Sequence, residues 1–339
     1  MTFDPASIGL DLGGTTYSVG WMSGESLRDT REHPTNAHRP RDEIVADLAS
    51  ALETARRDAG LHGVTVRDAG VGFPGVIDAR TGTVKLPPNF AHAHDWADYK
   101  LAAALETCTG LRVHLVNDAR AFTLAESRLG AAKGSSDALG ITLGTGVGGG
   151  LVLDGRLFLG RYCTAGEFGH QCLDPHGPRC GCGSPGCIEV YASGPALISS
   201  AVRGLRQGRM PTLRALCEGD LNRVTPRLIA DAATQGELEC QDIFARAAAA
   251  LAWGIQNLVH VLGLEVVVIG GGIAGAGELL LEPIRDSLRR NARLIAHLPR
   301  VVAAELGADA GLIGACLWAR EASNANATPV NNAQPSRYL

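Results

Sequence analysis

Three cysteines fall within eight residues in Cys180-Gly181-Cys182-Gly183-Ser184-Pro185-Gly186-Cys187, the densest cluster of reactive groups in the chain. Thiolates at this spacing on a glycine- and proline-rich loop suit a tetrahedral metal such as zinc, which needs one further ligand. His170 and His176 both lie upstream, and either can supply it. A disulfide framework fits poorly, because three cysteines leave one unpaired. Four protein ligands would close the coordination sphere, so the metal is expected to be structural rather than catalytic. A zinc-finger DNA reader does not fit: its second histidine pair is missing and the chain carries a net charge of −4.

Carboxylates surround the loop. Glu167 and His170 are three residues apart, and Glu189 follows the last cysteine by two. A bound metal would hold His170 and Glu189 rigidly near Glu167. Carboxylates at fixed separations suit a polyhydroxylated ligand, since each can accept two hydroxyl donors. Asp118, at the end of a strand, stands where α/β folds place functional groups, although a lone Asp there reads first as a helix N-cap.

Three glycine-rich turns point to a second ligand. Gly144-x-Gly146-x-x-Gly149 and Gly270-x-Gly272-x-x-Gly275 both satisfy the dinucleotide-binding expression. After the first, the chain returns as a strand, Leu151–Leu153, whereas a Rossmann loop must open a helix. After the second, 64 residues remain, too few for a dinucleotide domain. Gly13-Gly14-Thr15-Thr16, preceded by Asp11, is the third. Glycine hairpins let several backbone N–H groups approach a phosphate unobstructed. Three such turns, with threonines beside two, favour a nucleoside triphosphate.

The elements that must position these groups follow from pattern. Ile8–Asp11 and Tyr17–Trp21 read as one hairpin, and Ala138–Leu143 with Leu151–Leu153 as a second around Gly144–Gly150. Setting Ile8 against Ile141 makes the two a weak repeat, and implies two related α/β domains. Arg41–Ala59 is amphipathic, with Ile44, Val45, Leu48, Leu52 and Ala55 on one face, Asp42 as cap and Gly60 as stop. Ala69–Phe73 and Arg112–Val116 read as strands, Trp96–Thr109 as a helix, and a further helix runs on to Gly130. Helices at Pro195–Gln207, Thr225–Thr234 and Gln241–His260 follow. Glu265–Ile269 then reads as a strand, Gly270–Gly277 as a loop and Glu278–Asn291 as a helix. Val301–Ala304 and Ala308–Ala322 close the pattern.

Composition sets the limits. With 339 residues, 45% hydrophobic and 19% charged, the chain reads as globular and two-domain. No basic footprint for nucleic acid appears, no apolar stretch is long enough for a bilayer, and Met1–Ser7 shows no secretory pattern. Nine cysteines, an odd count, favour reduced thiols and a cytoplasmic setting.

Taken in order, Leu10-Asp11-Leu12-Gly13-Gly14-Thr15, Phe73-Pro74-Gly75, Val116-Asn117-Asp118-Ala119, Leu143–Gly150, Glu167-Phe168-Gly169-His170, the Cys180–Glu189 loop and Ile269-Gly270-Gly271-Gly272-Ile273 resemble the ROK family of sugar kinases and repressors. The resemblance covers residues 8–320. It implies an α/β, actin/hexokinase-like (ribonuclease H-like) fold whose two domains enclose a cleft, with a zinc-binding knuckle. Residues 1–117 with 304–322 would form the smaller domain and 118–303 the larger. The zinc loop would be 170–187, and 323–339 a disordered tail.

By the same resemblance, His170 rather than His176 joins Cys180, Cys182 and Cys187 on the zinc. Asp118 would be the catalytic base. Asn117, Glu167, His170 and Glu189 would bind sugar hydroxyls, helped by Asn89 and the Gly75 backbone. ATP with Mg2+ would meet Asp11, Gly13, Gly14, Thr15, Thr16, Thr145, Gly146, Gly271 and Gly272. The reaction implied is phosphorylation of a hexose at its C6 hydroxyl, with glucose first and N-acetylglucosamine or N-acetylmannosamine as alternatives. A repressor ranks lower, because seven residues before the first strand leave no room for a helix-turn-helix. A non-catalytic sensor ranks lower too, since it would lack the base or the phosphate loops that this chain keeps. A homodimer or higher homo-oligomer serving glycolysis completes the expectation. Two positions depart from the family's pattern: Thr16 stands where many members carry Lys, and Arg120 where Asn is usual.

Overall fold

The computed structural model describes residues 6–86, 90–291 and 294–327. Its packing divides the chain into two units, Met1–Asp118 with Leu312–Leu339, and Ala119–Gly311.

The first unit contains β1 (Ser7–Leu12), β2 (Thr16–Ser23), β3 (Ser26–Pro34), helix α1 (Arg41–Leu61), β4 (Asp68–Phe73), the small pair β5 (Val76–Asp78) and β6 (Thr83–Leu86), helices α2 (Ala93–Trp96) and α3 (Leu101–Thr109), and β7 (Arg112–Asn117). Five strands form one sheet in the order β3-β2-β1-β4-β7. The β3-β2-β1 part is antiparallel; β1-β4 and β4-β7 are parallel. Helix α1 buries Ile44, Val45, Leu48, Leu52 and Ala55 against β1, β2 and α3. Removing a side chain such as fully buried Leu48 should cost about 2–5 kcal/mol.

The second unit takes up helix α4 (Asp118–Leu129) from its second residue. It continues through β8 (Ala138–Leu143), β9 (Val147–Leu153) and β10 (Arg156–Leu157) to helices α5 (Glu189–Ala192), α6 (Gly194–Arg206), α7 (Pro211–Leu216), α8 (Pro226–Thr234) and α9 (Leu238–Leu262). After these come β11 (Val266–Gly270), α10 (Glu278–Asn291) and β12 (Arg300–Ala303), and α11 (Ala310–Ala327) carries the chain back to the first unit. The sheet order, β10-β9-β8-β11-β12, reproduces that of the first unit, with the same antiparallel and parallel partition.

The repeat is therefore real, but its register differs from the one the letters favour. Ser7–Leu12 corresponds to Ala138–Leu143, with the same burial pattern along both strands. Asp11 is then matched by Thr142 and Gly13 by Gly144, so Ile8 does not correspond to Ile141. Similar letters mislead because Leu143 matches Leu10 by identity while it occupies the station of Leu12, and the second turn is also one residue shorter. The ladder closes at Leu12–Tyr17 in one hairpin and at Leu143–Val147 in the other.

Several boundaries differ from the expected ones. Helix α1 passes through Gly60 to Leu61, and Gly63, at φ 71°, follows its end. Asp42 lies inside the first turn, bonded to Arg41, where its charge suits the helix dipole rather than capping it. The helix expected at Trp96–Thr109 is α3 alone, preceded by the separate turn α2. Strand β9 begins at Val147, so only Gly144–Gly146 form the turn. Helix α11 runs through Ser323–Ala327, which the composition had assigned to the tail; the remainder of that tail lies outside the described residues. Strand β3 has no apolar alternation because it is an exposed edge, which makes it unreadable from pattern.

Candidate functional site

In the first unit, the C-terminal ends of β1 and β7 carry the expected site residues Asp11 and Asn117, with Asp118 following β7 directly. Asp11 sits one residue before the end of β1, held in register by Ser18 on one side and Gly72 on the other. A Cβ on Gly72 would stand 2.8 Å from Asp11 Oδ1, so glycine there makes room for the carboxylate. Burial pushes the Asp11 carboxyl up to about 7, and the nearby charge of Asp118 adds to the effect.

The turn after β1 closes through the Gly13 N–H to the Thr16 carbonyl at 2.9 Å. Thr35 braces it twice, its hydroxyl donating to the Gly13 carbonyl at 2.8 Å and its N–H to that of Thr15 at 2.8 Å. Gly14, Thr15 and Thr16 are left exposed. Thr35 gave no sequence signal, because it lies a whole hairpin away from the turn it steadies. At the end of β7, buried Asn117 donates to the Gly75 carbonyl at 3.1 Å, and Gly75 has φ 84°. Asp118 is the first residue of α4 rather than the cap before it. Asn89 lies outside the described residues.

In the second unit, the Gly144–Gly146 turn closes through the Gly144 N–H to Gly146 O at 3.0 Å, and Gly194, opening α6, donates to Gly144 O at 2.8 Å. Thr145 and Gly146 lie in this turn. Gly271 packs against the end of β8: a Cβ there would fall 2.4 Å from the Leu143 carbonyl. The Gly270–Gly272 turn and the N-terminus of α6 are thus brought to the same hairpin. Gly148, Gly149 and Gly150 serve a different purpose. Side chains there would collide with Ala119, with Gly166 and Phe168, and with Thr123, so these glycines are a packing requirement of β9. Thr145 and Glu189 also border a cavity of about 740 Å³ that continues between α5, α6 and α9 past Ser200, Arg203 and Arg246.

Beside β9 lies the segment Glu167–His170, whose last three residues form a 3-10 turn. The ligand atoms of His170, Cys180, Cys182 and Cys187 all lie within 4.8 Å of one another. His176 is outside that group, its N–H bonded to Asp174 Oδ1 at 2.8 Å. Two edges of the cluster, Cys182 Sγ to Cys187 Sγ and Cys180 Sγ to His170 Nδ1, are both 3.7 Å. Zn–S bonds of about 2.3 Å place two sulfurs of a tetrahedron ~3.8 Å apart, so the donor set fits that ion. The loop can fold so tightly only with glycine at 186, where a Cβ would meet Asp174 O at 1.9 Å and φ is 59°.

Glu189 joins this loop to the hairpin. Its Oε2 accepts the Val147 N–H at 3.0 Å, and its Oε1 accepts the Cys180 thiol at 3.4 Å. Arg120 reaches Glu167 Oε1 through Nη2 at 2.8 Å, and the Ala165 carbonyl through Nε at 2.8 Å.

The profile of the ROK family matches residues 7–322. This chain belongs to the ROK family. It is 36% identical to a glucokinase of Thermotoga maritima over 93% of its own length and 97% of that protein's. It is 32% identical to an N-acetylmannosamine kinase of Escherichia coli over 93% and 98%. Among solved structures it resembles a ROK glucokinase from Streptomyces griseus in complex with glucose and AMPPNP, at TM-score 0.79 and 35% identity, covering 93% of this chain and 99% of that one. The two like sheets are accordingly those of the actin/hexokinase-like fold shared by ROK hexokinases. Both departures from the family's usual pattern have a place in the structure. Thr16 opens β2 at the exposed turn, and Arg120 is a buried partner of Glu167. Among the described residues no helix is long and apolar enough to cross a membrane.

Proposed function

We propose that this ROK protein is an ATP-dependent hexokinase that phosphorylates glucose at its C6 hydroxyl. The observation that carries this reading is the 36% identity to a glucokinase across nearly the whole of both chains. The expected Asp118, Glu167–His170 and glycine turns all stand on the ends of strands or on braced loops. Asp118 orients the alcohol and takes its proton as the oxygen bonds to the γ-phosphorus and ADP leaves. Asn117, Glu167, His170, Glu189, the Gly75 backbone and Asn89 bind hydroxyls. Asp11, Gly13, Gly14, Thr15, Thr16, Thr145, Gly146, Gly271 and Gly272 receive the nucleotide. Mg2+ bound with ATP would neutralise phosphate charge.

Zinc on His170, Cys180, Cys182 and Cys187 would be structural. The donor set supports it, as does the position of Glu189. Loss of the Cys180 proton on metal binding would end its donation to Oε1 and leave that oxygen for a hydroxyl. A second reading, N-acetylmannosamine or N-acetylglucosamine kinase, draws on the 32% identity to an N-acetylmannosamine kinase. Coupled ADP release on glucose, N-acetylglucosamine and N-acetylmannosamine separates the two. Glucose should give the highest kcat/KM, and turnover of none of the three would end the kinase reading. A cytoplasmic homodimer is the assembly we infer, and light scattering of the purified protein tests the dimer.

A further inference from the structure

We propose that Arg120 is a positioning residue for sugar recognition: it locks one oxygen of Glu167 so that the other is presented to the hexose. The inference rests on the reading of Glu167 as a sugar ligand.

Glu167 follows Gly166, at φ 93°, on a loop, and its side chain is 40% exposed. Left alone, such a side chain samples many rotamers, and fixing it for a ligand costs conformational entropy. Arg120 removes that freedom. It rises from the first turn of α4, two residues after Asp118, and its side chain is only 1% exposed. Its guanidinium grips the loop at two points, the Ala165 carbonyl through Nε and Glu167 Oε1 through Nη2, both at 2.8 Å. A planar fork with two separate anchors fixes direction as well as distance, which an ammonium on a flexible stem does not. Glu167 Oε2 has no polar partner among the described residues. The carboxylate is thus aimed by one oxygen and open at the other.

Gly150 contributes to the geometry. A Cβ there would lie 3.1 Å from Arg120 Cα and 2.4 Å from Thr123 Oγ1, so a bare strand allows α4 to pack this closely. A buried cation also makes the pairing compulsory, since an unpaired guanidinium away from water is strongly unfavourable. The ion pair does not require Glu167 to bind sugar. What points to positioning is that the buried partner holds one oxygen of an exposed carboxylate and leaves the other uncovered.

The test uses Arg120→Lys, Arg120→Met, Arg120→Asn, Glu167→Gln and the double variant Arg120→Met/Glu167→Gln, each with KM for glucose, KM for ATP, kcat and a thermal melt. Arg120→Met should raise KM for glucose at least tenfold and leave KM for ATP within twofold. Arg120→Lys, which keeps the charge without the fork, should recover part of that loss. In the Glu167→Gln background the Arg120 change should add less than threefold, because its target is gone. If Glu167→Gln leaves KM for glucose unchanged, the reading of Glu167 as a sugar ligand fails. If Glu167→Gln weakens sugar binding while Arg120→Asn and Arg120→Lys do not, the positioning role is overturned. Equal losses in both Michaelis constants, tracking the fall in melting temperature, would make the pair purely structural and overturn it too. Should Arg120→Met not fold, the Lys and Asn variants carry the same comparison.

Discussion

Asp11 and Thr142 occupy the same station in two sheets of the same strand order. Each is the fifth residue of its strand, and each faces a glycine on the parallel neighbour, Gly72 or Gly270. Only the first is a carboxylate. The next strand ends differ in the same sense. β7 runs directly into Asn117 and Asp118, whereas β12 leads to Glu305 and Leu306, whose N–H groups are taken up by buried Glu126. The first sheet therefore delivers its acids from strand ends. The second takes Glu167 from a loop and Glu189 from the first residue of the short helix α5, and each has a brace: Arg120 for Glu167, and the Val147 N–H for Glu189. Asp11 is fixed by strand neighbours on both sides and Asp118 by the first turn of α4, so both stations suit a group whose position must not drift. A loop carboxylate acquires that fixity from a partner.

The sharpest break in this comparison is Asp118→Asn, which keeps size and removes the proton acceptor. The kcat for hexose phosphorylation should fall at least ~100-fold, with a smaller change in KM. Steady-state kinetics reads this directly, and retention of more than a few per cent of the rate would remove Asp118 from the role of base. Next in size is disruption of the proposed zinc site on the Cys180–Cys187 loop, on the opposite side of the comparison. Chelation, or Cys180→Ser, should weaken glucose binding by about 10- to 100-fold, because His170 and Glu189 lose their anchor. Val147 N–H bonding to Glu189 carries the disturbance to the second glycine turn, so KM for ATP should rise as well, though less. A metal-stripped protein with unchanged glucose affinity, measured by calorimetry, would leave the loop without that purpose.

Much of this was legible in the chain itself. The cysteine spacing, the Asp118 strand end and the glycine turns were visible because each is a local pattern with a local physical cause. Three features were not. The Gly148–Gly150 run reads as a phosphate loop, yet its missing side chains are demanded by Ala119, Thr123 and Phe168, residues from elements far off in sequence. Thr35 braces a turn twenty residues away, and a lone threonine after an edge strand announces nothing. Arg120 showed only as a departure from the family pattern, since nothing in Asp118-Ala119-Arg120 tells that its charge will be buried against Glu167. Patterns report what neighbours in sequence do, and all three omissions are contacts across the fold.

The smallest effects separate Asp11 from Thr142. Thr142→Val should change kcat/KM by no more than ~2-fold, while Asp11→Asn should lower kcat/KM for ATP by about tenfold or more. Stability gives the finer distinction, and its sign follows from linkage. The Asp11 pKa is raised from 3.8 to about 7 in the folded chain. Between those values the native state holds a proton that the unfolded chain has released. That contribution is complete below about pH 4 and is lost as pH rises through about 7. Asp11→Asn has no such titration. Its stability relative to the wild type should therefore improve from pH 5 to pH 8, by on the order of 2 kcal/mol, and then level off. Thr142→Val should run parallel to the wild type at every pH. Urea unfolding of the three proteins without ligand at pH 5, 6, 7 and 8 makes the measurement. If the Asp11→Asn curve also ran parallel, the carboxylate would be hydrated in the folded state, and the difference between the two strand ends would reduce to side-chain identity alone.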